Sequence, residues 1–214
     1  TAAGSALATD LLANPDASIL ALFGTGANAI THLEALATIR GLQKVWIYGR
    51  TIEQAQHFVQ AQQPHYKMPL VATDDLANLS QAHIICTTTS AQNPLFEAQQ
   101  VAPGTHITAI GSYKPHWREV PGKWVAQSKI VLDDRSACLS EAGDILMPIE
   151  EGLMSAQDIV GELGEIITKQ TKVRTSEADF TFYKSVGVGV QDLTAAHYIY
   201  QKAQKLGLGQ VINI

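Results

Sequence analysis

The sequence is poor in the residues that mark several common classes of protein. It has two cysteines among 214 residues, Cys86 and Cys138, which are too few and too far apart for a disulfide framework or a zinc site. We therefore expect a reducing, cytoplasmic setting. The 7 histidines lack the spacing of metal ligands, so we expect no bound metal.

Charge and long apolar runs are also scarce. Charged residues make up 16% of the chain, the net charge is −5, and there is no basic cluster, which argues against a nucleic-acid partner. No apolar run approaches the roughly 20 residues of a membrane-spanning helix, and we expect no membrane partner.

What the sequence does contain is an alternation of short apolar segments and helical patterns. With 46% hydrophobic residues it can bury a sizeable core. Strands alternating with helices predict an α/β fold with a doubly wound parallel sheet of the Rossmann type. The predicted strands cover 18–23, 45–48, 70–72, 82–86, 106–110, 129–132 and 180–184. The predicted helices cover 2–13, the stretch from Ile30 to just before Gly41, 51–63, 156–168 and 188–206, with a helical turn at 74–79.

A glycine-rich motif lies between the predicted strand at 18–23 and the helix that follows it. It matches the G-x-G-x-x-G/A fingerprint as Gly24-Thr25-Gly26-Ala27-Asn28-Ala29. Gly24 permits the tight turn, Gly26 lets the backbone approach a pyrophosphate, and Ala29 keeps the helix close to the sheet. The N–H groups at the helix N-terminus then face the phosphates. A glycine-rich turn in an ordinary α/β protein is the alternative, but the order strand, motif, helix favours a dinucleotide site.

Small or hydroxylated residues also follow other predicted strands. Because a dinucleotide lies across the carboxyl ends of the strands, we expect further cofactor contacts there. The expected residues are Thr87, Thr88, Thr89, Gly111 and Ser112, in addition to the glycine motif. Plain loop chemistry is the alternative for each one, since Gly, Ser and Thr favour turns.

The end of the second predicted strand bears on the choice of cofactor. It reads Tyr48-Gly49-Arg50-Thr51, with no acid until Glu53. A carboxylate accepts from a ribose 2′-hydroxyl, whereas an arginine suits a 2′-phosphate. Thr51 can add a hydroxyl while it opens the next helix. We therefore predict NADP(H) in preference to NAD(H), although Arg50 as a solvated surface residue is the alternative.

Taken together, the motifs resemble the ornithine cyclodeaminase/mu-crystallin family. The matching segments are residues 1–9, GTGANAITH (24–32), YGRT (48–51), TTTS (87–90), GSYKPHWREV (111–120), LDDR (132–135), EAGD (141–144) and YKSVGVGVQDLTAA (183–196). The family includes NAD(P)-dependent ornithine cyclodeaminases, alanine dehydrogenases, reductases of cyclic ketimines and the thyroid-hormone-binding mu-crystallins. In the last segment, Val186 joins the expected cofactor residues.

The resemblance also implies a domain division. In the family an N-terminal domain forms the dimer and holds the substrate carboxylate, and we expect this chain to lack it. Residues 1–14 would be a helix leading in from that domain, 15–185 the cofactor domain, and 186–214 a C-terminal helix that packs back toward the absent part. In the first helix we expect Leu7, Leu11 and Leu12 to pack on one inward face, with Thr1 and Ser5 facing the absent domain. The full-length protein would be a homodimer.

Within the family, the loop after the strand at 106–110 separates the activities. Deaminating and alanine-oxidising members carry an Asp where this chain has Tyr113, and a phenol is a poor base near neutral pH. The sequence of this loop, GSYKPHWREV (111–120), is similar to that of the ketimine reductases and mu-crystallins. The resemblance implies NADPH-dependent reduction of a cyclic imino acid, pyrroline- or piperideine-2-carboxylate, to the L-amino acid. The alternatives are an ornithine cyclodeaminase that uses NAD and a mu-crystallin-like ligand-binding protein.

The resemblance names no catalytic residue but points to three substrate-side candidates, Lys114, Glu141 and Ser185. Their alternatives are a surface lysine, a helix-end charge and a cap for the last helix. Asp133 and Asp134 could suggest a metal site, but such a pair more often caps the next helix. His32 we expect to be packed rather than catalytic.

Overall fold

The computed structural model describes residues 1–210 and 212 and shows one parallel sheet of eight strands. The strands are β1 (Ile19–Phe23), β2 (Lys44–Tyr48), β3 (Leu70–Ala72), β4 (Ile84–Thr87), β5 (His106–Ala109), β6 (Lys129–Leu132), β7 (Ile159–Glu162) and β8 (Thr181–Lys184). Their order in the sheet is β3-β2-β1-β4-β5-β8-β6-β7. The predicted doubly wound parallel sheet is confirmed.

Eight α-helices surround or flank this sheet among the described residues. They are α1 (Ala2–Leu12), α2 (Ala27–Ile39), α3 (Ile52–Gln62), α4 (Gly122–Val125), α5 (Arg135–Glu141), α6 (Gly143–Glu150), α7 (Leu163–Lys169) and α8 (Gly189–Leu206). Short 3-10 turns lie at Gln63–His65, Leu76–Gln81, Ala98–Gln100 and Ala156–Asp158. In the part of the chain that the structure describes, no helix has both the length and the apolarity needed to cross a bilayer.

The strands are apolar because both faces of the sheet are covered, as in other parallel sheets. Leu20 and Leu22 pack into one core cluster, while Ala21 and Phe23 pack into a second one on the opposite face of β1. The register aligns the strand ends: Phe23 pairs with Tyr48 on β2 and with Thr87 on β4. The carboxyl ends of the central strands therefore form one level edge, where the loops meet.

The prediction of a single helix over 156–168 is wrong. The structure divides this stretch into the 3-10 turn, the edge strand β7 and the helix α7. Ile159 and Val160 are β-branched, which favours a strand. The segment pairs with β6, with one shift in register, instead of forming the first turns of a helix. Glu162 then opens α7 with a capping box that it forms with Glu165.

The predicted inward face of α1 is also wrong. Leu7 and Leu11 are 43% and 44% exposed, whereas Leu12 is fully buried. The buried face carries small residues, including Ser5, which lets α1 lie close against α2, β5 and β8. Ser5 therefore faces the core of this domain, and α1 is an integral part of its packing.

The last helix has the opposite character. No residue of α8 is buried, and exposed apolar side chains such as Leu193 and Ile199 project from it. It begins after Val188, close to the predicted 188–206, and ends at Gly207 in the left-handed conformation. Of the predicted C-terminal segment, Val211, Asn213 and Ile214 lie outside the described residues. The division at 14 and 186 stays a prediction.

Candidate dinucleotide-binding site

An open cleft of about 980 Å³ lies at the carboxyl ends of β1, β2, β4 and β5. Eight of the predicted cofactor residues line it: Gly24, Thr25, Gly26, Asn28, Arg50, Thr88, Thr89 and Gly111. The tertiary structure thus brings together, from four separate chain segments, the loops that sequence reasoning grouped only by their position after strands.

The first turn of the cleft depends on Gly24. Its φ is +113°, a conformation that L side chains rarely adopt, and an added Cβ would lie 2.3 Å from Thr88 Oγ1. That hydroxyl donates to the carbonyl of Phe23 at 2.9 Å, which ties the β4 loop to the end of β1. Gly24 is required because the two loops approach so closely.

Gly26 has a different role, because an added Cβ there would meet no atom within 4 Å. It is the N-cap of α2, and no side chain caps this helix end. The first N–H groups of α2 are therefore available to an anion in the cleft, whereas buried Ala29 holds the helix against the sheet. The cleft fits a pyrophosphate at this point.

The end of β2 forms the opposite side of the cleft. Arg50 and His57 are exposed and line it, so a cationic guanidinium stands where an acid would bind a 2′-hydroxyl. Thr51 does not line the cleft but caps α3, accepting from the N–H of Gln54 at 3.4 Å. Phe23 and Tyr48 stack face to face with ring centroids 4.3 Å apart and form an apolar wall.

The loops after β4 and β5 are held by Glu119, a fully buried acid that the sequence reasoning did not single out. Its Oε1 accepts from the N–H and the hydroxyl of Thr89, both at 2.7 Å. Its Oε2 accepts from Thr87 Oγ1 at 2.9 Å, Gly111 N at 2.7 Å and Ser112 N at 3.3 Å. One carboxylate therefore joins both loops.

Two further buried charged residues, Asp144 and Lys184, lie near Glu119. Asp144, also fully buried, accepts from the N–H groups of Glu119 and Val120 at 2.8 and 3.0 Å. Lys184 at the end of β8 places Nζ 3.0 Å from Asp144 Oδ2, an ion pair by distance without a directional hydrogen bond at either atom. Burial raises the pKa of Glu119, and the charge of Lys184 opposes that shift. No sequence spacing signals this trio, since only the packing of α6 and β8 brings it together.

Several predicted cofactor residues lie behind or beside the lining of the cleft. Thr87 and Ser112 are fully buried and lie behind the cleft, where they support the loops. The Ser112 hydroxyl donates to the carbonyl of Trp117. Ala27 lies at the exposed start of α2, and Val186 is held by Asp133, which accepts from its N–H at 3.0 Å. Neither of these two lines the cleft.

The substrate-side candidates do not converge. Tyr113 is exposed and lines the cleft, whereas the neighbouring Lys114 points its Nζ over the Trp117 ring, 4.1 Å from the centroid. Glu141 is exposed at the end of α5. Ser185 is buried and donates to Asp133 Oδ2 at 2.8 Å. These positions alone do not form a substrate site.

The acidic pair after β6 has a structural role. Asp134 caps α5, as predicted, by accepting from Ala137 N at 2.7 Å. Asp133 accepts from Ser185 and from the N–H of Gly187, so it fixes the turn between β8 and α8. Among residues 1–210 and 212, no group of three or more His, Cys, Asp or Glu side chains could hold a metal ion.

His32 is packed, as predicted. It is fully buried on α2, with Nδ1 2.6 Å from the carbonyl of Asn28 and Nε2 3.1 Å from Ser5 Oγ. Burial lowers its pKa. It therefore joins α1 to α2 and does not face the cleft.

A parallel sheet, a glycine fingerprint at the turn after β1 and a cleft at the strand ends define a Rossmann-type, dinucleotide-binding domain. The chain belongs to the ornithine cyclodeaminase/mu-crystallin family, whose model matches residues 1–207. The resemblance stated from the motifs is confirmed.

Three relatives illustrate the range of the family. Delta(1)-pyrroline-2-carboxylate reductase of Bacillus cereus is 39% identical over 100% of this chain and 66% of its own length. The ketimine reductase mu-crystallin of Mus musculus is 34% identical over 94% of this chain and 60% of its own length. A structure of Thermococcus litoralis Delta(1)-pyrroline-2-carboxylate reductase in complex with NADH and L-proline superposes with a TM-score of 0.93 at 29% identity, covering 99% of this chain and 66% of that one. This chain thus spans slightly less than two thirds of the relatives' length.

Proposed function

We propose that this chain is the cofactor domain of a reductase that converts a cyclic imino acid, pyrroline- or piperideine-2-carboxylate, to the L-amino acid. The observation that carries the proposal is the cleft with its open helix N-terminus, in a chain 39% identical to a pyrroline-2-carboxylate reductase. A nicotinamide dinucleotide bound there supplies the hydride for the C=N carbon. The contribution of the protein is to orient the two reactants at short distance.

The residues of the chain have separate parts in this proposal. The N–H groups at the start of α2 bind the pyrophosphate, and the close turn at Gly24 positions them. Thr88, Thr89 and Gly111 line the part of the cleft over β4 and β5, and Tyr113 stands at its edge. Since Tyr113 replaces the acid expected of deaminating members, release of ammonia from L-ornithine is the less favoured activity.

We further propose NADPH as the preferred cofactor. The exposed Arg50 guanidinium lines the cleft at the end of β2 and can bind a 2′-phosphate with two parallel donors. The Thermococcus litoralis relative was solved with NADH, which supports a nicotinamide cofactor in this fold. Fluorescence titration of this chain with NADPH and with NADH tests the preference.

The remaining third or so of the relatives' length has no counterpart in this chain. We propose that it supplies the groups that bind the substrate carboxylate and the contacts of a cytoplasmic homodimer. The exposed apolar side chains of α8 are consistent with such a contact surface.

The assay follows oxidation of NADPH by Δ1-pyrroline-2-carboxylate and by Δ1-piperideine-2-carboxylate. It compares the 214-residue chain with a form of the protein that has the relatives' full length. We expect turnover by the long form alone, since loss of substrate positioning costs about a hundredfold in rate. Ammonia release from L-ornithine with NAD, at a rate comparable to imine reduction, would favour a cyclodeaminase. Binding of the imine without turnover by the long form would favour a ligand-binding protein.

A further inference from the structure

Glu119 accepts hydrogen bonds from five donors and is the only side chain of the buried trio that reaches both cleft loops among the described residues. Three of these donors are backbone N–H groups, which cannot accept a proton. An ionised carboxylate accepts all five hydrogen bonds, whereas a protonated carboxyl would point its O–H toward one of these donors, and only the two threonine hydroxyls could accept from it. The hydrogen-bond geometry therefore favours an ionised carboxylate.

The surroundings of Glu119 fix its position. Asp144 accepts from the backbone N–H of Glu119, and its negative charge opposes that of the Glu119 carboxylate, whereas the positive charge of Lys184 favours it. The loop itself packs on Gly143, where an added Cβ would lie 2.1 Å from the carbonyl of Trp117. Glu119 therefore has little freedom to move, and its position determines the positions of the two loops that are hydrogen-bonded to it.

In the proposed mode of binding, the two halves of a dinucleotide lie on different loops of this cleft. The adenosine half belongs at the β1 and β2 ends, beside Gly26 and Arg50, and the other half lies over β4 and β5. Thr89 and Gly111 are two of the cleft residues of the second region, and both donate their backbone N–H groups to Glu119.

We propose that Glu119 is a positioning residue for the nicotinamide half of the cofactor, because it sets the spacing of the β4 and β5 loops; this inference rests on the proposed function. Glu119 does not line the cleft. It acts through Thr89 and Gly111.

The test compares a whole cofactor with its adenosine half. The purified chain and its Glu119→Gln variant are titrated with NADPH and with adenosine 2′,5′-bisphosphate, which has no nicotinamide. Gln keeps the size of the side chain but turns an NH2 group toward N–H donors. We expect NADPH affinity to fall about tenfold or more, with adenosine 2′,5′-bisphosphate unchanged within about twofold. Glu34→Gln, an exposed acid on α2, is the matched control and should bind both ligands as the unmodified chain does.

A second variant keeps the test valid if Glu119→Gln does not fold. Thr87→Val replaces a buried residue by one of similar shape and removes a single donor from Glu119. We expect a smaller change in the same direction, about threefold for NADPH alone.

The outcomes distinguish the positioning role of Glu119 from the proposed cofactor site on which it rests. Equal losses for both ligands would reduce Glu119 to a residue that merely stabilises the fold, and unchanged NADPH affinity in both variants would also overturn the inference. Failure of the unmodified chain to bind either ligand would instead refute the proposed cofactor site, and the inference with it.

Discussion

Alanine at Gly24 and alanine at Gly26 should have different effects. The first should mainly lower the stability of the fold, and the second should mainly weaken cofactor binding. At Gly24 the φ of +113° excludes a comfortable L residue, at a cost of about 1–2 kcal/mol. The new Cβ would also displace Thr88 Oγ1 and break its bond to Phe23, at a cost of about 1 kcal/mol. We therefore expect Gly24→Ala to lower the free energy of unfolding by about 2–3 kcal/mol.

At Gly26 the same methyl group should leave the fold nearly unchanged. The φ of −90° suits any residue, and the Cβ meets no protein atom within 4 Å. Alanine is a weaker N-cap than glycine, so we allow a loss of less than about 1 kcal/mol. The methyl group would, however, stand where the pyrophosphate approaches the backbone, and we expect NADPH affinity to fall about tenfold or more.

Thermal unfolding and NADPH titration of both variants provide the measurements. For a chain of this length, 2–3 kcal/mol corresponds to a decrease in Tm of about 5–10 °C. Unfolding of Gly24→Ala at the temperature of the unmodified chain would contradict the role of the Gly24 turn. Equal NADPH affinity of Gly26→Ala would show that the open space beside Gly26 is not where the cofactor binds.

Two further predictions concern charge. Arg50→Ala should lower affinity for NADPH about tenfold and leave NADH affinity unchanged, because only the 2′-phosphate loses its partner; equal affinities of the unmodified chain for the two cofactors, measured by fluorescence titration, would contradict the preference. Burial lowers the pKa of His106 to about 3, with Arg174 adding to the shift, so the unfolded chain binds its proton more readily. Stability from this residue is complete above about pH 6.5 and decreases, by up to about 1.4 kcal/mol per pH unit, as the pH falls toward 3. Denaturant unfolding between pH 7 and 4 should show a shallower decrease for His106→Asn than for the unmodified chain, while the exposed control His65→Asn should show no difference.

The prediction from sequence was most accurate where local chemistry decides the structure. The turn at Gly24, the cap at Thr51 and the helix end at Gly207 each follow from the conformational needs of neighbouring residues. The uninterrupted apolar run of β1 and the helical spacing of the apolar residues in α2 were equally clear, because the two faces of β1 are buried and α2 is long enough to show its period. The strand at 159–162 was not predicted, because a short apolar segment next to a helix shows neither the period of 2 of a strand nor the period of 3.6 of a helix.

The prediction was weaker where residues distant in the chain decide. Leu7 and Leu11 have the hydrophobicity of core residues, but the close approach of α1 to the sheet selected small side chains for its inner face. Thr87 and Ser112 follow their strands as cofactor ligands do, yet Glu119 and Trp117 draw their hydroxyl groups away from the cleft. Side-chain direction at a strand end depends on which partner lies behind it.

By itself, the sequence determined the parallel sheet, the fingerprint turn and the place of the cleft. These follow from backbone propensities and from the rule that parallel strands end at one edge. Only the tertiary structure decided which strand-end residues face the cleft. It also decided that Glu119, Asp144 and Lys184 meet beneath the cleft. These three residues come from a loop, a helix and a strand that are 25 and 40 residues apart in sequence, and a buried charge selects its partners by proximity in space.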